Sequence, residues 1–430
     1  MSRKRVIYQS ESLYCAATGT QTGDFVGNAN VSGNAGDPGV PGSGIQVHRV
    51  QSINYGFDVP RQDVNEFGKL ARIDQVILES PTVSLDFTYY AETGFNERTL
   101  GFTLEDPTKA NNPAAGATIS CISGILNGKT DIKSYFIRTV SEGRDEQDQS
   151  SAGSNSYDEN NNPQASIIAI GNASITSYTF EAAVGSFPTV SVSAEGLNMR
   201  VIAAPKAPDN TGSGTALTAA TVNQETGASA GHAFVLERGV DAMSSANNVL
   251  VGNTLGATLP SALRPGDIKF TNKLQGANDS AYDGGSDEDI VGLIRGWDVS
   301  ELKIQSVSVS VDLGREDLLK LGSKFAFSKE VVYPVTASMT IEASCSDMKN
   351  MDLADLVDND STTYTAGFYI VKPNDSSKQA IGYRIVGAKL DSEALSSSIG
   401  DNKTVTFNFT AQVGGPADNT AGLFIQRGEA

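Results

Sequence analysis

Two blocks of this chain recur at long range and in the same order. Gln51, Ser52, Asp58, Arg61, Asp63, Gly68, Thr82, Ser84 and Asn96 return without a gap as Gln305, Ser306, Asp312, Arg315, Asp317, Gly322, Thr336, Ser338 and Asn350, an offset of 305 − 51 = 254. A second block, Ile170, Ala173, Ser177, Gly185, Thr189 and Val190, returns as Ile385, Ala388, Ser392, Gly400, Thr404 and Val405, an offset of 385 − 170 = 215. A spacing this long marks a copied domain rather than a short-period solenoid. The expected organisation is one copy over residues 1–200, a Ser/Thr/Gly/Ala-rich linker over 201–230 and a second copy over 231–430. Two like domains on one chain can occupy neighbouring positions around one axis, so a ring built from fewer chains is the natural use of the arrangement.

The repeated blocks alternate apolar and polar residues with period 2, which predicts strands with one buried face. Thr82 to Ala91 sets Val83, Leu85, Phe87 and Tyr89 against Thr82, Ser84, Asp86 and Thr88, and Thr336 to Ser344 sets Ala337, Met339, Ile341 and Ala343 against Thr336, Ser338, Thr340 and Glu342. Val190, Val192 and Ala194 oppose Thr189, Ser191, Ser193 and Glu195, while Val405, Phe407, Phe409 and Ala411 oppose Thr404, Thr406, Asn408 and Thr410. The apolar sets predict two domain cores. None of the four polar faces holds a Lys or Arg, although the chain has 32 of them. Short helices are expected at Asn96 to Phe102 and Asp347 to Val357. Long loops are expected over 30–44, 141–163 and 205–230, where Gly, Pro, Asn, Ser and Thr crowd out apolar residues.

Composition narrows the function. The net charge is −18 and the only basic run is Arg3-Lys4-Arg5, so a tight nucleic-acid binder, which needs a basic stripe to displace counterions, is disfavoured. No run approaches the ~18 apolar residues of a membrane span, and the start of the chain lacks the apolar stretch of a signal peptide. Three cysteines, Cys15, Cys121 and Cys345, are too few and too scattered for a disulfide scaffold and suit a reducing cytoplasm. Gly227-Ala228-Ser229-Ala230-Gly231 has the spacing of a nucleophile elbow, but a small-residue linker precedes it and a strand-like run follows His232, the reverse of the strand-to-helix setting that exposes such a serine. The two histidines, His48 and His232, are expected to be solvated or at an interface. Asp279, Asp283, Asp287 and Asp289 form an acidic loop without EF-hand spacing. No phosphate-binding loop, dinucleotide fingerprint or zinc spacing is present, so no enzyme activity, cofactor or metal is expected.

The stretch His48-Arg-Val-Gln-Ser-Ile-Asn-Tyr-Gly-Phe-Asp-Val-Pro-Arg-Gln-Asp-Val-Asn-Glu-Phe-Gly-Lys-Leu-Ala-Arg-Ile-Asp74, with Leu78 to Tyr90 and Asn96-Glu-Arg-Thr-Leu-Gly-Phe102, resembles the major tail tube proteins of long-tailed bacteriophages. So does the opening Met1 to Ser10. The resemblance implies a mainly β fold of two tandem β-sandwich or barrel domains with short flanking helices, an inner sheet joining a continuous barrel, and rings stacked into a tube for DNA. The family's ring holds six such domains, so the duplication suggests three chains in a pseudo-hexamer. It further implies self-association, a tape measure protein during assembly, tail terminator and distal tail proteins at the ends, and DNA passing without tight binding. The setting implied is the virion tail, with synthesis in the host bacterial cytoplasm. In such a tube Ser84, Asp86, Thr88, Ser191, Ser193, Glu195, Ser338, Thr340, Glu342, Thr406, Asn408 and Thr410 are expected to line the bore. An ordinary solvent-exposed outer sheet is the other use of such a face. Rival readings are a distal tail, baseplate or capsid-surface protein, a hydrolase resting on Ser229, and an extracellular adhesion protein.

Overall fold

The computed structural model describes residues 11–17, 44–78, 81–105, 125, 132–140, 165–203, 250–251, 263–270, 303–319, 321, 328–344, 363–373, 375–397, 402–414 and 421–427. The protein is mainly β. In the first part of the chain the strands are β1 (Glu11–Ala17), β2 (Gly44–Gln46), β3 (Val50–Asp58), β4 (Arg61–Val64), β5 (Asp74–Ile77), β6 (Thr82–Tyr90), β7 (Leu104–Glu105), β8 (Lys133–Val140), β9 (Ala165–Ala183), β10 (Thr189–Gly196) and β11 (Asn198–Ala203). The helix α1 (Phe95–Leu100) follows β6. Then come β12 (Leu250–Val251), β13 (Ile268–Phe270), β14 (Lys303–Asp312), β15 (Arg315–Leu318), β16 (Ser328–Val331), β17 (Val335–Ser344), β18 (Tyr364–Lys372), β19 (Asp375–Ser396), β20 (Thr404–Val413) and β21 (Gly422–Arg427). The alternating runs of the sequence become β6, β10, β17 and β20, and the helix expected at Asn96 is α1.

One antiparallel sheet runs through the whole molecule in the order β3-β6-β10-β9-β14-β17-β20-β19. Its two halves have the same register at the offsets of the sequence repeat. Ser52 faces Thr88 and Ser306 faces Glu342; Thr189 faces Tyr90 and Thr404 faces Ser344; Ser177 faces Ser193 and Ser392 faces Asn408. The hairpins β4-β5 and β15-β16 also correspond. Between the halves, β9 pairs with β14 over Ala183↔Ser306 to Ser177↔Asp312.

Two long strands carry the chain out of this sheet. The first half of β9 pairs with β8 and β11, and β8 continues to β1 and β2. The first half of β19 pairs with β18 and β21, joined by β13 and β7. These flanking layers cover the apolar face of the central sheet, as two stacked sheets must to remove that face from water. The residues expected inside, among them Val83, Leu85, Phe87, Val192, Met339, Ile341, Phe407 and Phe409, are all buried.

The two cores expected from the sequence are joined into one buried cluster. Phe180 of β9 lies 4.6 Å, ring to ring, from Tyr383 and 5.3 Å from Phe368, both from the second part of the chain. Pairing β9 to β14 sets the central-sheet half of β9 against the flanking layer of the other half, and there the Phe180 ring packs on Tyr383 and Phe368. The expected loops over 141–163 and 205–230, the helix expected at Asp347 to Val357, and most of the 30–44 loop and the 201–230 linker lie outside the described residues, as do Ser229, His232, Cys121, Cys345 and the acidic loop.

Candidate functional site

Side chains alternate across a strand, so once the apolar set faces the flanking layers the polar set must share the opposite face. The structure brings the twelve polar residues singled out in the sequence into two groups on that face. On β6 and β10, Thr88 faces Ser191, Asp86 faces Ser193 and Ser84 faces Glu195. On β17 and β20, Ser338 faces Thr410, Thr340 faces Asn408 and Glu342 faces Thr406. Thr340 Oγ1 donates to Asn408 Oδ1 at 2.8 Å, and Asn408 Nδ2 donates to Ser392 Oγ at 2.7 Å.

The four strands that join and flank these groups extend the same face, and sequence reasoning missed them. Ser177, Thr179 and Glu181 of β9 lie beside Ser193, Ser191 and Thr189, and Ser306, Ser308, Ser310 and Asp312 of β14 stand between them and β17. Ser52 and Asn54 extend it at one edge and Ser396 at the other. Ser310 and Ser338 hydroxyls meet at 2.7 Å, and Ser306 Oγ donates to Glu342 Oε2 at 3.1 Å. The signal for β14 was available, because Ser306, Ser308 and Ser310 alternate with Val307, Val309 and Val311.

The face is not wholly free of cations. Lys329 of β16 is buried and places Nζ 3.0 Å from Glu195 Oε2 and 3.2 Å from Asp317 Oδ1, so the Glu195 charge is met at one end of the sheet. Lys389 stands opposite Thr410 where β19 bulges. Away from these ends the facing residues are hydroxyls, amides and carboxylates.

The most perturbed titrating groups lie on the other side of the sheet. Tyr89 Oη donates to Glu97 Oε1 at 2.9 Å, Tyr178 Oη reaches the same oxygen at 3.3 Å, and the Tyr178 and Tyr383 hydroxyls meet at 2.8 Å. Burial raises the Glu97 carboxyl above its ordinary range against the pull of these hydroxyls, and burial together with the nearby Glu97 and Tyr383 raises Tyr89 and Tyr178 well above theirs. Perturbed groups in a cleft point to catalysis, but all four side chains here are sealed in the core, so the cluster fastens the two halves. His48 departs from expectation. It is buried, stacked on Phe95 at 4.4 Å with Nδ1 3.2 Å from Glu92 Oε2, and its backbone N–H donates to Asn96 Oδ1 at 2.8 Å. Its ring fixes α1 to the start of β3. Among the described residues no group of His, Cys, Asp and Glu is placed to hold a metal, and no helix is long and apolar enough to cross a membrane.

Three solved structures resemble parts of the chain. The tail of an empty gene transfer agent particle with C6 symmetry matches 35% of this chain and 93% of that one, at 13% identity and a TM-score of 0.22. The virion of a native gene transfer agent particle matches 30% and 96%, at 12% identity and a TM-score of 0.19. The baseplate of the anti-feeding prophage matches 46% and 97%, at 9% identity and a TM-score of 0.24. No protein-family model matches the sequence, and no curated protein does.

Proposed function

We propose that this chain is a structural subunit of a viral tail tube, that it supplies two quasi-equivalent domains, and that three chains close a ring through which DNA passes. One observation carries the reading. The central sheet is sealed by core on one face, polar from edge to edge on the other, and, among the described residues, bordered by no further strand at either end of its strand order, β3 and β19. Open edges invite indiscriminate pairing, and closure into a barrel removes them. Three chains of eight strands give 24; at a strand spacing of ~4.8 Å and a tilt of ~40° such a barrel is ~48 Å across between backbones, ample for a double helix. Six chains would double that width with no cargo to fill it.

The chemistry of the face suits transit. Phosphates passing hydroxyls and scattered carboxylates find few cations to hold them, so no counterions are released and no tight complex forms. The resemblance read in the sequence adds the expected neighbours: like rings above and below, a tape measure protein in the bore during assembly, and terminator and distal tail proteins at the ends, in the tail of a virion. No catalytic role is assigned.

Electron micrographs of the purified chain test the proposal. Hollow tubes whose rings hold three chains are expected. Rings of six chains would overturn the stoichiometry, and single rings that never stack would favour a distal tail or baseplate component.

A further inference from the structure

The seam between β9 and β14 shows how one half of this protein receives the next, and among the described residues no further strand pairs along the corresponding outer edges of β3 and β19. We infer that the open edge of β3 pairs antiparallel with the outer half of β19 from a second copy of this chain, in the register of the internal seam carried over by the two offsets. This rests on the proposal that like chains close into a ring, and it adds which residues meet.

Subtracting 254 from the β14 positions and adding 215 to the β9 positions turns Ser308↔Glu181 into Asn54↔Ser396 and Val309↔Phe180 into Tyr55↔Leu395. Likewise Val311↔Tyr178 becomes Phe57↔Glu393, and Asp312↔Ser177 becomes Asp58↔Ser392. The offsets are licensed by the ladders themselves, which agree in register on both sides of the seam.

Burial supports the assignment. Val309 is 0% exposed, Val311 1% and Phe180 0%, because each is covered across the internal seam. Their counterparts Tyr55, Phe57 and Leu395 are 37%, 65% and 45% exposed. Large apolar side chains on an edge strand are what a protein avoids unless the edge is covered. The transferred register places two of them, Tyr55 and Leu395, directly opposite one another.

The hairpins repeat the argument. At the internal seam the Leu313 N–H donates to Thr176 O at 2.7 Å, and the Arg315 guanidinium donates to Ile175 O at 3.0 and 3.1 Å. The same offsets direct the Val59 N–H to Asp391 O and Arg61 to Leu390 O of the second copy. The β4-β5 hairpin is exposed along nearly its whole length, whereas its counterpart β15-β16 is partly covered and buries Lys329 against Glu195. A second copy is thus the occupant that both the edge and the hairpin fit.

The test is the pair Asn54→Cys with Ser396→Cys in the full-length chain, with Cys121 and Cys345 replaced by Ser and the buried Cys15 retained. Directly opposed residues in an antiparallel pair have Cβ atoms about 4.5–5.5 Å apart, within reach of a disulfide after a small backbone shift. Mild oxidation of assembled protein should give covalent dimers and trimers that disappear on reduction. The pair Asn54→Cys with Leu395→Cys, one residue out of register and facing opposite sides of the sheet, should give less than about a tenth as much. Equal or greater yield from this second pair overturns the register and leaves the ring. Normal rings in which neither pair crosslinks overturn the edge assignment, and a chain that forms no assembly removes both proposals. Tyr55→Asp gives a readout free of cysteine chemistry: it should abolish assembly while the isolated chain melts as wild type does, and assembly at the wild-type level would overturn the inference.

Discussion

Glu97 is a carboxyl group held where water does not reach, with two tyrosine hydroxyls on one of its oxygens. Burial raises its proton affinity in the folded chain above that of the unfolded chain. The unfolded chain therefore loses this proton first as pH rises. Over the interval between the two values it binds fewer protons than the native state, and stability falls by about 1.4 kcal/mol for each pH unit. Glu97→Gln keeps an oxygen for Tyr89 and Tyr178 and removes the titration. Urea denaturation of both chains across mildly acidic to neutral pH should show wild type losing stability relative to the variant as pH rises; parallel curves would mean that Glu97 titrates alike in both states. Neither Glu97 nor His48 announced its setting in the sequence. The sequence says nothing of the setting of Glu97 and reads His48 as solvated or at an interface; only tertiary packing, with Tyr89 of β6 on Glu97 and Phe95 of α1 on His48, buries them.

At the scale of the element, a strand is defined by its alternation and a sheet by who stands beside it. Alternation found β6, β10, β17 and β20 within two residues of their ends, because one face of each meets core along its whole length. It did not reveal that β9 and β19 are continuous strands of 19 and 22 residues shared by two layers. Where a strand passes between layers, the side that is covered changes and the pattern blurs. Gly196 marks the crossing in the first half: a Cβ there would lie 2.7 Å from Ile170 Cγ2 and 3.2 Å from Gly171 O. Its counterpart at the offset of 215 is Ala411, which is buried with room for its methyl group. Gly196→Ala should therefore cost about 1–3 kcal/mol by overpacking, measured as a shift in the urea midpoint. A loss near zero would show that β9 yields at Ile170.

At the scale of the whole molecule, the polar face behaves as one surface across eight strands, so its charge can be tested as a unit. Asp86 and Glu342 lie in opposite halves of it and both point away from the core. On the proposed function, replacing both with Lys should leave assembly intact and make the assembled protein retain DNA at low salt, with retention falling steeply as salt rises. If the variant assembles and DNA behaves as with wild type, the face does not line the conduit.

The sequence by itself determined the mainly β fold, the strands with a clean apolar face and the two offsets, because a strand facing one core writes its environment directly into its residues with period 2. The tertiary structure alone decided that the two halves share a single core, that serines of β9 and β14 complete the polar face, that Lys329 reaches Glu195, and which described strands stand at the edges of the sheet. Those facts depend on which strand lies beside which. A pattern of apolar and polar residues fixes the faces of a strand, but the choice of neighbour is made by backbone hydrogen bonds, and these are the same chemical groups at every residue but proline.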